Sequence, residues 1–203
     1  MPYDALSHPY NAIRRRDRAV SDEEWIKQFL HSAPAGSLAT VHEGQPFLNN
    51  NLFIYDEFQH VIYVHTGPVG RTRANIERDE RVCFSVYEMG RLYPGQLASE
   101  FGVEYASVTI FGTATIIEDL QEKRRFFDTL FAKYFPDFQA GKDYQPSSDQ
   151  EIARPCLYKI QIQQWSGKKH IERPDFPGAF RYEERKAQKS SQEPFDPGSA
   201  DAS

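Results

Sequence analysis

Cysteine is scarce: two in 203 residues, too few for a disulfide framework. Both lie in apolar, strand-like runs, Val82-Cys83-Phe84 and Cys156-Leu157-Tyr158. A reduced, cytoplasmic chain is the expectation. No apolar run approaches the roughly 20 residues a membrane helix needs. Residues 1–10 also lack the apolar segment of a signal peptide, so no membrane role is expected. A basic excess is missing as well. Lys+Arg 24 against Asp+Glu 29 leaves a formal charge of -5, which argues against a nucleic-acid partner. The six histidines, at 8, 31, 42, 60, 65 and 170, show no metal-ligand spacing. There is no G-x-S-x-G elbow and no P-loop. What the chain does have is 15 Phe and 11 Tyr, a composition that favours strands around a bulky core.

Three regions follow from composition. Residues 1–20 form a basic arm around Arg14-Arg15-Arg16-Asp17-Arg18, with four Arg and two Asp. Residues 172–203 run through Pro174, Pro177, Pro194 and Pro197 and are expected to form a mobile tail. The domain between them, 21–171, carries essentially the whole net charge. It should open with a helix capped by Ser21, whose hydroxyl and Glu24 make a capping box, and end near Pro34 and Gly36. Strands are expected over 37–42, 47–55, 60–65, 81–88, 105–118 and 156–165. Gly112, inside one of them, suggests a bulge or a barrel corner. Short and long helices are expected over 70–79 and 119–135. The second has Asp119 as its cap and Phe127, Leu130, Phe131 and Tyr134 as its apolar stripe. About six antiparallel strands with two or three peripheral helices make a mainly β, α+β chain: a small decorated β-barrel.

Four segments could carry chemistry, and each has two readings. His65-Thr66-Gly67-Pro68-Val69-Gly70-Arg71-Thr72 reads as strand, glycine loop and helix start. Arg71 could fork a phosphate and Thr72 donate a hydroxyl to it; alternatively this is a solvated helix that starts basic. Trp165-Ser166-Gly167-Lys168 could be an aromatic wall with a cation for a planar, phosphorylated ligand, or a packed strand end. Asn49-Asn50-Asn51 opposes strand propensity; it could be an amide-rich edge that reads a heterocycle, or a bulge. Ser107 and Thr109 share one strand face and could bond a ligand or merely line a polar surface.

In this order, these pieces resemble the pyridoxamine 5′-phosphate oxidase-related, FMN-binding split barrels. The branch most similar holds flavin-nucleotide-binding and nitroimidazole-resistance proteins. The resemblance spans residues 13–170. It rests on the arginine lead-in, Leu38-Ala39-Thr40, His65-Thr66-Gly67 with Gly70-Arg71, and Asn75-Ile76 with Arg81-Val82-Cys83-Phe84. Tyr105-Ala106-Ser107-Val108 with Phe111-Gly112, and Trp165-Ser166-Gly167-Lys168, complete the set. It implies a Greek-key type split barrel forming a homodimer, with two flavin sites between the subunits. FMN is the implied cofactor, and FAD the alternative if an adenosine half finds room. His65 and Thr66 would contact the flavin, Arg71 its phosphate, and Ser107 the ring. Trp165 would come from the other subunit with Lys168 close behind, and Asn50 and Asn51 would lie beside the ring.

Two departures matter. The oxidases often pair Arg with Lys at the phosphate loop, but here the pair is Arg71-Thr72, which leaves Arg73 or Lys168 to supply a second charge. The substrate segment after the Trp reads His170-Ile171-Glu172-Arg173, so vitamin B6 oxidation is not the expected activity. The implied function is a flavin-dependent oxidoreductase acting on an unassigned small molecule. No residue stands out as acid, base or nucleophile, although His65 could touch substrate or ring. A non-catalytic flavin binder, or a haem-binding split barrel using His65 or His170, are the alternatives.

Overall fold

The computed structural model describes residues 3–189, without the side chains of 186–189. The part of the expected tail beyond residue 189 lies outside the described residues. By internal contacts the chain divides into two compact units: Met1–Glu88 with Ser107–Lys169, and Met89–Ala106 with His170–Ser203.

The first unit is built on an antiparallel sheet. Its strands are β1 (Ala19–Val20), β2 (Gly36–His42), β3 (Gln45–Asn51), β4 (Phe53–Asp56), β5 (Val61–Thr66), β6 (Arg81–Tyr93), β7 (Gly102–Ile117) and β8 (Cys156–His170). They lie in the order β3-β2-β6-β7-β8-β5-β4, with β1 paired to β8 through Ala19↔Lys168 and Val20↔Gly167. The helices are α1 (Glu23–Ser32), α2 (Arg71–Ile76), α3 (Leu120–Tyr134) and α4 (Asp149–Ala153). A fifth, α5 (Tyr182–Lys189), belongs to the second unit.

The sheet is not closed by hydrogen bonds, yet it has to curl. β3 lies at one edge and β4 at the other, and Leu52 alone separates them in the chain. Consecutive Cα atoms are about 3.8 Å apart, so the two edges must come together at Leu52. This is a split barrel, and it corrects the expectation of one continuous strand over 47–55. The break is invisible in the hydrophobic pattern because Leu52 is as apolar as its neighbours.

Helix α3 holds the break in place. The Tyr134 hydroxyl accepts from Phe53 N at 3.2 Å and donates to Phe53 O at 3.1 Å. Lys133 Nζ donates to Ala33 O at 3.0 Å and to Phe53 O at 3.4 Å, and lies 4.2 Å from the Phe53 ring centre. Burial pulls the Lys133 pKa down to about 8. The Phe53 ring is fully buried against Phe84, with centroids 5.0 Å apart. Beneath α3, Phe126 and Leu130 pack with Ile54, Val61, Tyr63 and Leu157. Phe127 and Tyr134 pack against the same cluster, so the expected stripe holds at Phe127, Leu130 and Tyr134; Phe126 joins it, while Phe131 stacks on Tyr144 instead. Asp119 caps α3 as expected, accepting from Glu122 N at 2.7 Å. Buried Lys123 donates to Ala153 O and Pro155 O, tying α4 to α3.

Other boundaries shift for local reasons. Asp22, not Ser21, caps α1, because its carboxylate accepts from Glu24 N and Trp25 N. Among the described residues eight strands replace the expected six, through two-residue β1 and the split at Leu52. β6 and β8 run past their expected ends and β7 begins earlier, at Gly102, where Gly and charged residues hid the continuation. Gly112 marks no break in β7. A Cβ there would stand 2.0 Å from Gln161 O, so glycine permits close approach of β7 to β8.

In the second unit, Glu104 is the hub. Arg91 forks it through Nε and Nη2 at 2.9 and 2.6 Å, and the backbone N–H groups of Arg91 and Glu172 add 3.1 and 3.0 Å bonds. Arg91 also donates to Pro174 O and Arg173 O, and Leu92 bridges to Phe180. Residues 172–180, placed in the tail by composition, are thus hydrogen bonded to the 89–106 hairpin.

Two outcomes follow. Tyr134→Phe leaves both backbone groups of Phe53 without the hydroxyl and should cost about 1–3 kcal/mol in urea denaturation; an unchanged midpoint would show that the bond does not hold the crossover. Arg91 holds the Glu104 carboxyl down to about 2, below its ordinary 4.5. The stability it contributes is therefore complete above pH 4.5 and is lost as pH falls towards 2. Hydrogen exchange over 89–106 should accelerate across that window in the native chain, and Glu104→Gln should flatten the dependence.

Candidate functional site

The β5–α2 loop is shaped by one glycine. Gly70 has φ 154° and ψ 176°, a conformation essentially reserved for glycine, although nothing stands within 4 Å of where its Cβ would be. Shape, not space, demands glycine here, and it sets Arg71 at the start of α2. At six residues α2 is a short helix, so an anion would depend on the Arg71 guanidinium itself.

Arg71 is exposed, and among the described residues its guanidinium makes no hydrogen bond or ion pair. It lines a cleft of about 490 Å³ with His42, Phe47 and Asn75. Arg73, a candidate for the second charge, is already engaged. It bonds Glu77 at 2.8 Å and Pro68 O at 3.1 Å, and lies 3.8 Å from Glu118. Thr72 faces inward: it is buried, and its Oγ1 accepts from Asn49 Nδ2 at 3.1 Å. Asn75, fully buried, donates to Thr40 Oγ1 at 2.9 Å, while its Oδ1 is buried with no partner among the described residues.

The asparagine run divides its work. Asn49 bonds α2, Asn50 Oδ1 accepts from Ser37 Oγ at 2.7 Å, and Asn51 Nδ2 donates to Asn49 O at 2.9 Å. Most of the expected amide edge is thus internal bracing. Asn50 is exposed and has its amide N–H groups over.

His65 and Thr66 end β5. They line a second cleft of about 390 Å³ with Gly67, Pro68, Arg154 and Pro155. The His65 ring packs edge-on against Phe126 and Phe127, at 5.5 and 5.3 Å. Its Nδ1 is buried without a partner among the described residues, and burial lowers its pKa. A neutral imidazole at pH 7 follows. The Thr66 hydroxyl donates to Gly67 O at 2.9 Å and lies 2.9 Å from Tyr158 Oη, so it orders the loop.

The remaining candidates lie elsewhere in the chain. Ser107 Oγ reaches Lys168 O at 3.5 Å across β7 and β8. Trp165 packs edge-on against His60 at 4.7 Å, in a separate cavity of about 510 Å³ with Asn11, Lys27 and Glu57. The chain therefore joins the Arg71 and His65 clefts through a single loop, and does not bring Trp165 into either. Sequence reasoning missed Asn75, His42, Phe47 and Arg154 as lining residues. Asn75 was findable, since it lies four residues after Arg71 on one helix face. Arg154, far along the chain, carried no local signal.

The profile of the pyridoxamine 5′-phosphate oxidase family matches residues 22–169, and the chain belongs to that family. No curated protein matches it. Among solved structures, the flavocytochrome Anf3 from Azotobacter vinelandii is similar at TM-score 0.72 and 20% identity, covering 96% of this chain and 91% of that one. The FAD and heme binding protein from Mycobacterium smegmatis follows at 0.67 and 20%, covering 84% and 80%. A candidate 5-nitroimidazole antibiotic resistance protein from Bacteroides thetaiotaomicron is similar at 0.61 and 23%, covering 74% and 86%. At these identities the likeness is one of fold. Among the described residues, no helix is long and apolar enough to cross a membrane.

Proposed function

We propose that the chain binds a flavin nucleotide between two copies of itself, FMN with FAD as the larger alternative, and acts as an oxidoreductase on a small molecule. The observation that carries this reading is Arg71. Arg15, Arg73, Arg81, Arg91 and Arg124 are each held by a carboxylate. Arg71 is held by none among the described residues, and stands at a cleft also lined by Asn75, whose Oδ1 is buried without a partner among the described residues. A free guanidinium fits a phosphate. A buried acceptor fits a ribityl hydroxyl or a ring N–H. Two of the similar structures are named for FAD and heme binding or as a flavocytochrome, which supports the choice of ligand.

In this reading Arg71 holds the phosphate, while Asn50 and the unpartnered His65 Nδ1 meet the ring or ribityl chain. Thr66 and Thr72 shape the loop. Ser107, Trp165 and Lys168 serve the site of the other copy. Exposed Val41, Phe47, Leu48, Leu52 and Tyr87 give that copy an apolar surface to cover. The flavin, when bound, supplies the hydride or electron transfer. The chain orients it, excludes water, and can take a proton at His65 Nδ1. A haem reading would draw on His65 or His170, but His170 Nε2 already lies 2.7 Å from Tyr93 Oη and 3.3 Å from Glu172. Free Cys83 and Cys156 fit a cytoplasmic setting.

The purified chain should show flavin absorbance or acquire it with added FMN. Arg71→Ala should weaken FMN by roughly tenfold to a hundredfold, as loss of a charge-assisted bond requires. If Trp165 serves the other copy, mixing Arg71→Ala with Trp165→Ala chains should recover tight sites that neither variant has alone. A colourless chain indifferent to FMN defeats the proposal. Flavin binding without turnover by NAD(P)H and nitro compounds would leave a carrier in place of an enzyme.

A further inference from the structure

The cleft that His65 shares with Arg154 has no carboxylate in its lining. It holds about 390 Å³ and is bounded by His65, Thr66, Gly67, Pro68, Arg154 and Pro155. That volume falls within the roughly 300–1,000 Å³ of small-molecule sites. The sheet brings its two sides together, because Thr66 at the end of β5 pairs with Cys156 at the start of β8. Arg154 stands two residues before that pair.

Both sides are tied down. The Thr66 hydroxyl bonds Gly67 O and lies 2.9 Å from Tyr158 Oη. Buried Lys123 donates to Ala153 O at 2.9 Å and to Pro155 O at 3.0 Å, the carbonyls on either side of Arg154. The backbone that carries Arg154 is thus clamped. Its side chain is exposed, and its guanidinium makes no hydrogen bond or ion pair among the described residues. A carboxylate was at hand in Glu151, three residues earlier. Glu151 instead accepts from Ser148 N and Oγ, both at 2.8 Å. Glu118 lies 3.7 Å from Lys123 Nζ and 3.8 Å from Arg73. Neither ring nitrogen of His65 has a partner among the described residues. Burial alone lowers the His65 pKa, with no contribution from a neighbouring charge.

The cleft therefore combines an unneutralised guanidinium on a fixed backbone, a neutral imidazole and two prolines. A planar guanidinium fork matches a carboxylate, and the prolines suit an organic body more than a bare ion. We infer that Arg154 holds the carboxylate of a small organic acid in this cleft, and that the oxidoreductase proposed above takes such an acid as its substrate. The acid's role rests on the flavin reading, which places His65 at the cofactor; its binding at Arg154 does not.

The probe is benzoate, titrated into the full chain and followed by ligand-observed NMR, with benzamide as its neutral counterpart. Saturable benzoate binding is expected, and Arg154→Gln should weaken it by about tenfold. Benzamide should bind more weakly than benzoate and be indifferent to that substitution. In the FMN-loaded chain benzoate should shift the flavin absorbance, and Arg154→Gln should take up FMN as the native chain does. Absence of saturation, or equal benzoate affinity in Arg154→Gln, overturns the site. Weaker FMN binding by Arg154→Gln overturns it too, since the guanidinium would then serve the cofactor's phosphate. Benzoate that binds the loaded chain without moving the flavin spectrum overturns the substrate role. Benzoate binding through Arg154 in a chain that takes no flavin supports the acid site and defeats the flavin reading alone.

Discussion

The first unit depends on what becomes of two backbone groups, the N–H and C=O of Phe53. β4 is an edge strand, and an edge presents its peptide groups to whatever lies beside it. At Phe53 they turn from the sheet to α3, where one phenol both accepts and donates. Lys133 adds its ammonium to the same carbonyl and to Ala33 O. Without these partners the chain could run straight on from β3, as its apolar pattern invites. With them it breaks at Leu52 and the sheet rolls. The cost is a half-buried lysine whose proton is held less tightly than in water, with a pKa of about 8. It remains charged at neutral pH because two carbonyls and the Phe53 ring stand in for solvent.

Several arginines have carboxylates within reach, as Arg91 has Glu104, Arg81 has Asp79 and Arg124 has Asp149. Arg73 and Arg71, two residues apart, differ in this respect. Arg73 turns back to Glu77 and Pro68 O and closes the loop on itself. Arg71, on the other side of a short helix, has only the cleft. A sequence motif treats the two alike, and only geometry tells which is free. The same division runs through the asparagines: Asn49 braces α2 against β3, whereas Asn75 has an acceptor left over.

How far the sequence could be read follows from which signals are local. Helix α3, its Asp119 cap and the strand-loop-helix around Gly70 were legible because capping and glycine punctuation act within a few residues. The break at Leu52 was not, because its cause lies some eighty residues away in Tyr134. Asp22 displaced Ser21 as the cap of α1 because either side chain can serve and the sequence ranks them alike. The Thr72 hydroxyl looked like a ligand donor, but helix phase turned it inward to Asn49. Arg154 and His65 meet only through the fold, so no spacing could have announced their cleft.

Helix α3 also links the roll of the sheet to the proposed site. The helix that fixes Phe53 by Tyr134 presents Phe126 and Phe127 to the ring of His65, the last but one residue of β5. Those rings desolvate the imidazole and keep it neutral. Thr66, the next residue, is bound to Tyr158 of β8 and to the Gly67 carbonyl, so the loop that carries Gly70 and Arg71 leaves from a fixed point. A shift of α3 would therefore loosen the barrel edge and move His65 together. The free guanidinium at the far end of that loop is positioned by the same packing that makes the barrel, which is why a single short segment can hold both clefts.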